Sequence, residues 1–140
     1  MIAMYDVIII GGSYAGLSAA MALGRSMRKV LIIDSGKPCN RQTPYSLNFI
    51  TPDGETPAAI AQKARVQVLI YPTVQLINDT ALRASKNEKG FEIITASETA
   101  YHTTKIIFAT GVLDIMPNIK GFAECWVSPF YIVHTAMVTK

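Results

Sequence analysis

Asp6-Val7-Ile8-Ile9-Ile10-Gly11-Gly12-Ser13-Tyr14-Ala15-Gly16, answered further on by Lys29-Val30-Leu31-Ile32-Ile33-Asp34, decides the fold. The first five residues are β-branched at four positions and predict a buried strand. Gly11 to Gly16 turn the chain, residues 17–27 predict a helix that begins near Tyr14, and the second apolar run predicts another strand. A dinucleotide site needs one glycine where the strand turns, one where the backbone nears a pyrophosphate, and one where helix and strand pack closely. Gly11 and Gly16 fill the first and third places. Ser13 holds the middle one with Gly12 beside it, where its N–H and hydroxyl can still serve a phosphate through a narrower approach. The helix that follows points its positive end at that phosphate. Asp34 lies 23 residues (34 − 11) past Gly11, close to the roughly 20 expected of a carboxylate that holds a ribose hydroxyl. A plain glycine turn with a solvated Asp34 is the competing reading. Strand, helix and acid in the right order favour the nucleotide.

The 140 residues suit one domain, and with 50% apolar and 16% charged residues the chain can bury a sizeable core. A net charge of +3, with no interleaving of basic and aromatic residues, argues against nucleic acid as a partner. Cys39 and Cys125 are too far apart in sequence to suggest a metal site. No run reaches the roughly 18 apolar residues of a membrane span. The N-terminus carries Asp6 and no cationic lead-in, so neither a membrane partner nor a signal peptide is expected, and a cytoplasmic location is.

Residues 35–55 are turn-rich and long for a loop, which points to an ordered functional loop anchored by Tyr45, Leu47, Phe49 and Ile50. Thr56 and Pro57 open a helix whose apolar positions Ala58, Ile60, Ala61, Ala64, Val68 and Leu69 recur at helical spacing, and Tyr71-Pro72 ends it. Residues 74–82 predict one strand, 91–95 and 100–103 a hairpin, and 106–109 a further buried strand running into Thr110-Gly111. The fold class is therefore α/β, a doubly wound sheet with a small antiparallel β-meander laid on it.

With Ala109-Thr110-Gly111 in place the chain resembles the N-terminal FAD-binding portion of the thioredoxin reductase-like flavoproteins, pyridine nucleotide-disulfide oxidoreductases of the low-molecular-weight type. The resemblance rests on Tyr5 through Gly12, Ala15 through Ala20, Asp34-Ser35-Gly36, Cys39 through Thr43, Asn48-Phe49, Asp53-Gly54, Ala109-Thr110-Gly111 with Pro117, and Gly121 through Trp126. It implies a Rossmann-like FAD-binding fold over residues 1–126, incomplete at the C-terminus, in a chain short for a flavoenzyme. By this resemblance Gly11, Gly12, Ser13, Tyr14, Ala15 and Gly16 hold the pyrophosphate of FAD and Asp34, with Ser35, the adenosine ribose. It further implies that Gly36, Arg41, Gln42 and Asn48 approach the flavin end, that the strand near Ala81 passes the adenine, and that Ala109, Thr110 and Gly111 close over the nucleotide. Serine at 13, where many relatives have glycine, and Asp34, where many have Glu, depart mildly from the pattern.

The family chemistry this implies is hydride transfer from NAD(P)H to FAD, then electron transfer through a Cys-x-x-Cys pair to a thioredoxin-like or small disulfide substrate. Residues 127–140 carry no such pair, so no catalytic residue is expected here and the chain is expected to be inactive alone. The tail also decodes suggestively in a shifted frame. When the last base of each codon joins the next two, Trp126-Val127 and Met137-Val138 must both read Gly, while the codons from Ile132 to Thr135-Ala136 permit Cys-Pro-Tyr-Cys. The expectation is a truncated chain whose tail is out of frame. Two other readings stay open: a non-catalytic FAD- or ADP-binding module, and a fragment of another flavin-dependent oxidase or monooxygenase. An incomplete domain would leave apolar surface bare, so self-association as a homo-oligomer is also expected.

Overall fold

The computed structural model describes residues 4–41, 43–113 and 115–123. The elements run β1 (Met4–Ile10), α1 (Tyr14–Arg25), β2 (Val30–Asp34), α2 (Pro57–Leu69), β3 (Val74–Asn78), β4 (Ala81–Asn87), β5 (Gly90–Thr95) and β6 (Ala100–Phe108). All six strands join one sheet in the order β3-β2-β1-β6-β5-β4. The first four are parallel neighbours, and β6, β5 and β4 continue the sheet in antiparallel fashion.

Both faces of the parallel part are covered, which is why β1 and β2 are apolar throughout rather than alternating. On one face Val7, Ile9, Val30 and Ile32 pack with Leu17 and Ala20 of α1 and Val68 of α2. On the other, Tyr5, Ile8, Leu31 and Ile33 pack with Ile93 of β5, with Tyr101 of β6 against them. Meander residues thus cover this face, although β4, β5 and β6 are not a separate layer laid on the sheet but are hydrogen-bonded into it. The Rossmann-like α/β fold expected from the glycine turn is the observed one.

Three boundaries differ from those read in the sequence. Helix α1 stops at Arg25 rather than Met27, because Met27 takes φ 56° and the N–H groups of Arg28 and Met27 donate back to the carbonyls of Leu23 and Gly24, both at 3.0 Å. This is a Schellman-type ending with methionine in the place glycine usually takes. The single strand expected over 74–82 breaks at Asp79-Thr80. There the Asp79 N–H donates to the Asp34 carbonyl at 3.0 Å, and its carboxylate accepts from the Thr80 N–H at 2.7 Å and the Ser97 hydroxyl at 2.6 Å. A side chain that offers the backbone such bonds displaces the ladder. The Ser97 hydroxyl bond, foremost, holds the Asp79 carboxyl down to about 2.

The opposite correction applies to residues 100–109, where two expected strands are one. Thr104 and Lys105 read as a polar gap, but neither is a turn former. The Thr104 hydroxyl donates to the Asp6 carbonyl at 2.7 Å, fastening β6 to β1 without interruption.

The described residues divide into two units, one drawn from 4–38 and 61–111 and the other from those described within 39–60 and 112–123. Within the second, the loop expected to hang on apolar anchors is held by its own main chain. The Ser46 N–H donates to the Glu55 carbonyl at 2.7 Å and the Gly54 N–H to the Ser46 carbonyl at 2.8 Å. Tyr45, Leu47, Phe49 and Ile50 are exposed. Thr56 caps α2 as expected, accepting the Ala59 N–H on its hydroxyl at 3.2 Å.

Candidate functional site

The turn after β1 is built by contact rather than by flexibility. Gly11 adopts φ 107°, its N–H donates to the Ile33 carbonyl at 2.9 Å, and a Cβ added to it would fall 2.2 Å from the Ala109 carbonyl oxygen. A Cβ on Gly16 would fall 1.9 Å from the Gly11 carbonyl oxygen and 3.4 Å from Ile9 Cγ2. The first and third glycine places therefore do what the pattern asks: they let strand, turn and helix touch backbone to backbone. Ala109 is tied back to the strand end, its N–H donating to the Ile10 carbonyl at 2.8 Å.

Gly12 has a different task. A Cβ there would meet Cβ, Cγ and Oδ2 of Asp34 at 2.8–2.9 Å, so the carboxylate at the end of β2 lies directly against the glycine turn. Asp34 is buried (8% exposed). Its Oδ1 accepts the Gly36 N–H at 3.3 Å, and its Oδ2 pairs with Nη2 of Arg65 on α2.

Helix α1 begins at Tyr14, with Ser13 as its N-cap residue in extended conformation (φ −95°). The Ser13 hydroxyl makes no capping bond, and the first turn contains no acidic side chain. An α-helix leaves its first amides without intrahelical acceptors and its positive end uncompensated. Such a terminus beside a closely packed glycine turn accepts an anion, and a buried carboxylate accepts hydroxyl donors. The two together suit an adenosine diphosphate moiety, so the residues present fit the adenosine half of FAD.

Of the residues singled out in the sequence, Gly11, Gly12, Ser13, Tyr14, Ala15, Gly16, Asp34, Gly36, Ala109 and Thr110 form this continuous turn-and-carboxylate site or adjoin it. Ser35 is exposed next to Asp34, and Gly111 follows Thr110 with φ 71°. Ala81 opens β4 and packs against the cluster containing Ile33, on the meander face. Arg41 and Asn48 belong to the other unit, where Asn48 takes φ 57° as a turn residue. Gln42, Cys125, Trp126 and the tail 127–140 lie outside the described residues.

Arg65 is the residue that sequence reading missed. It sits mid-helix among Ala64, Val66 and Val68, where an arginine reads as an ordinary solvated side chain. Among the described residues no group of His, Cys, Asp and Glu could hold a metal ion, and no helix is long and apolar enough to cross a membrane.

Comparison with known proteins points the same way. The family model described as pyridine nucleotide-disulphide oxidoreductase matches residues 5–137. Thioredoxin reductase tcpT of Claviceps purpurea is 35% identical over 124 residues, which are 86% of this chain and 39% of that protein. Thioredoxin reductase sirT of Leptosphaeria maculans is 34% identical over 127 residues, 88% of this chain and 38% of that one. Among solved structures, an oxidoreductase from Agrobacterium tumefaciens superposes with a TM-score of 0.83 at 38% identity, over 87% of this chain and 41% of its own. The chain thus spans about two-fifths of the length of the proteins it resembles.

Proposed function

The chain belongs to the pyridine nucleotide-disulphide oxidoreductase family, and from that premise we propose that it is the FAD-binding portion of a thioredoxin reductase-like, NAD(P)H-dependent oxidoreductase. The observation that carries this reading is the contact between Gly12 and Asp34. It unites a diphosphate-accepting turn and a diol-accepting carboxylate in one place, the two features an ADP moiety needs side by side. In this reading the Gly11–Gly16 turn and the start of α1 take the pyrophosphate, Asp34 takes the adenosine ribose, and Ala109-Thr110-Gly111 flanks the turn. Arg41, Gln42 and Asn48 serve the flavin end.

Bound FAD would supply the redox chemistry, hydride acceptance and electron transfer toward a disulfide. This chain's own residues bind and orient the cofactor. Its two cysteines, Cys39 and Cys125, form no Cys-x-x-Cys pair, so the chain as it stands holds the nucleotide without reducing a disulfide. Thioredoxin-like or small disulfide substrates belong to the complete enzyme, and the working compartment is the cytoplasm. Residues 127–140 are read as a tail out of frame with the family, which the codons of the gene test directly.

The test of the site is a titration of the purified chain with FAD, followed by visible absorbance and flavin fluorescence. Saturable perturbation of the flavin spectrum, lost in Gly12→Ala, is the expected result. An unperturbed spectrum at millimolar chain overturns the reading. Val112, Leu113, Ile115 and Ile119 expose 74%, 83%, 91% and 62% of their surface. Such bare apolar surface supports self-association, read out as concentration-dependent mass in sedimentation.

A further inference from the structure

The ion pair on Asp34 is out of the ordinary for a surface contact. Its partners expose only 29% (Arg65) and 11% (Asp34) of their side chains, and Arg65 engages through Nη2 alone. The Arg65 Nε is buried with no hydrogen-bond partner among the described residues. A guanidinium that gives up hydration and leaves one donor unmade is expensive to hold in place. Its one hydrogen bond among the described residues is to the carboxylate that lies against Gly12.

The hydrogen-bonding capacity of that carboxylate can be counted. An ionised carboxylate accepts about four donors, two on each oxygen. The Gly36 N–H takes one site on Oδ1 and Arg65 one on Oδ2. Two sites remain, one on each oxygen. A ribose carries two neighbouring hydroxyls, each a donor.

We propose that Arg65 is a positioning residue for nucleotide binding: its guanidinium fixes the Asp34 carboxylate against the glycine turn with one acceptor site open on each oxygen, so that the chain selects an adenosine whose 2′- and 3′-hydroxyls are both free. A glycine at 12 leaves the carboxylate room, and the Gly36 N–H steadies only one of its oxygens, on a contact long for a hydrogen bond. Arg65 supplies the second point that defines the carboxylate plane.

The inference rests on the nucleotide reading above, and the experiment separates the two. Dissociation constants for ADP and for 2′,3′-dideoxy-ADP are measured by calorimetry on the full chain, on Arg65→Lys, on Arg65→Gln and on Asp34→Asn, with circular dichroism confirming the fold of each. The unmodified chain is expected to prefer ADP by at least about 10-fold, the factor that even one of the two hydrogen bonds to the carboxylate commands. Arg65→Gln and Asp34→Asn lose that preference, Arg65→Lys keeps about 3-fold of it because an ammonium on a flexible stem holds its donor less firmly than a guanidinium, and in both Arg65 variants the dideoxy nucleotide loses less affinity than ADP. Should Arg65→Gln fail to fold, Arg65→Lys carries the test. Equal losses for both nucleotides in a folded variant, or an undiminished preference in Arg65→Lys, overturn the proposal while leaving the nucleotide site standing. No ADP binding by the unmodified chain overturns both.

Discussion

The glycine turn between β1 and α1 and the loop over residues 39–55 are both rich in turn-forming residues, yet they are built on opposite terms. In the turn, atoms added at residues 11, 12 or 16 meet protein at once: the Ala109 carbonyl, the Asp34 side chain or the Gly11 carbonyl. In the loop, a Cβ on Gly54 meets nothing within 4 Å, and Tyr45, Leu47, Phe49 and Ile50 are exposed. A region closed by packing tolerates no change of volume. A region closed by a few main-chain bonds tolerates almost any. The contrast teaches which part of this chain is committed to one geometry, and it is the part that receives the pyrophosphate in the proposed reading.

The strongest challenge to that contrast is Gly16→Ala, whose methyl must displace the Gly11 carbonyl. A loss of about 3 kcal/mol in urea unfolding is expected, at the upper end of overpacking costs. At Gly54, with φ 80° and open space around it, alanine costs only the left-handed backbone, about 1 kcal/mol. Equal costs at the two positions would erase the distinction.

Gly12→Ala comes next. Its methyl presses on a side chain rather than on backbone, so stability falls by about 1–2 kcal/mol while FAD or ADP affinity falls at least about 10-fold, because the Asp34 carboxylate is the atom group moved. A titration of the folded variant checks both.

Smaller again is Met27→Gly, at the C-terminal end of α1. Relieving a left-handed methionine in a Schellman ending raises stability by about 0.5–1 kcal/mol in thermal unfolding. For Ile50→Ser in the loop, a change within about 0.5 kcal/mol is expected, as for other exposed positions.

The smallest effect concerns Asp79, which is half-buried. Its carboxyl is held below the ordinary carboxylate value, at about 2, chiefly by the Ser97 hydroxyl. A depressed folded value means its contribution is complete above the unfolded carboxylate value near 4 and lost as pH falls toward 2. Ser97→Ala should flatten that part of the acid-unfolding curve.

What was readable in the sequence follows the same division. The Gly11 and Gly16 positions were legible because a backbone contact leaves a residue type that nothing else can replace, and Asp34 was legible from its spacing past Gly11. The role of Gly12 was only half legible, since its neighbour Asp34 arrives from the next strand and no spacing rule pairs 12 with 34. Arg65 was invisible for a related reason: its partner is chosen by how α2 lies on the sheet, and a helical arginine carries no mark of what it faces. The loop misled in the other direction. Its apolar residues looked like buried anchors, but all four are exposed, and the Ser46–Glu55 and Gly54–Ser46 bonds tie the main chain of the loop to itself. At Asp79 the strand was expected to continue and at Thr104-Lys105 to stop, and side-chain bonds to the backbone reversed both.

The pairing of β1 with β6 sets an order of events for the chain. Residues 4–10 find their parallel neighbours at 102–108, and the Thr104 hydroxyl reaches a carbonyl 98 residues earlier. Contacts so distant in sequence form slowly, after the local helices and hairpins. Gly11 meets the Ala109 carbonyl only when that ladder has zipped. The glycine turn is therefore among the last parts of the sheet to be finished, although the strand that leads into it is read early in the sequence.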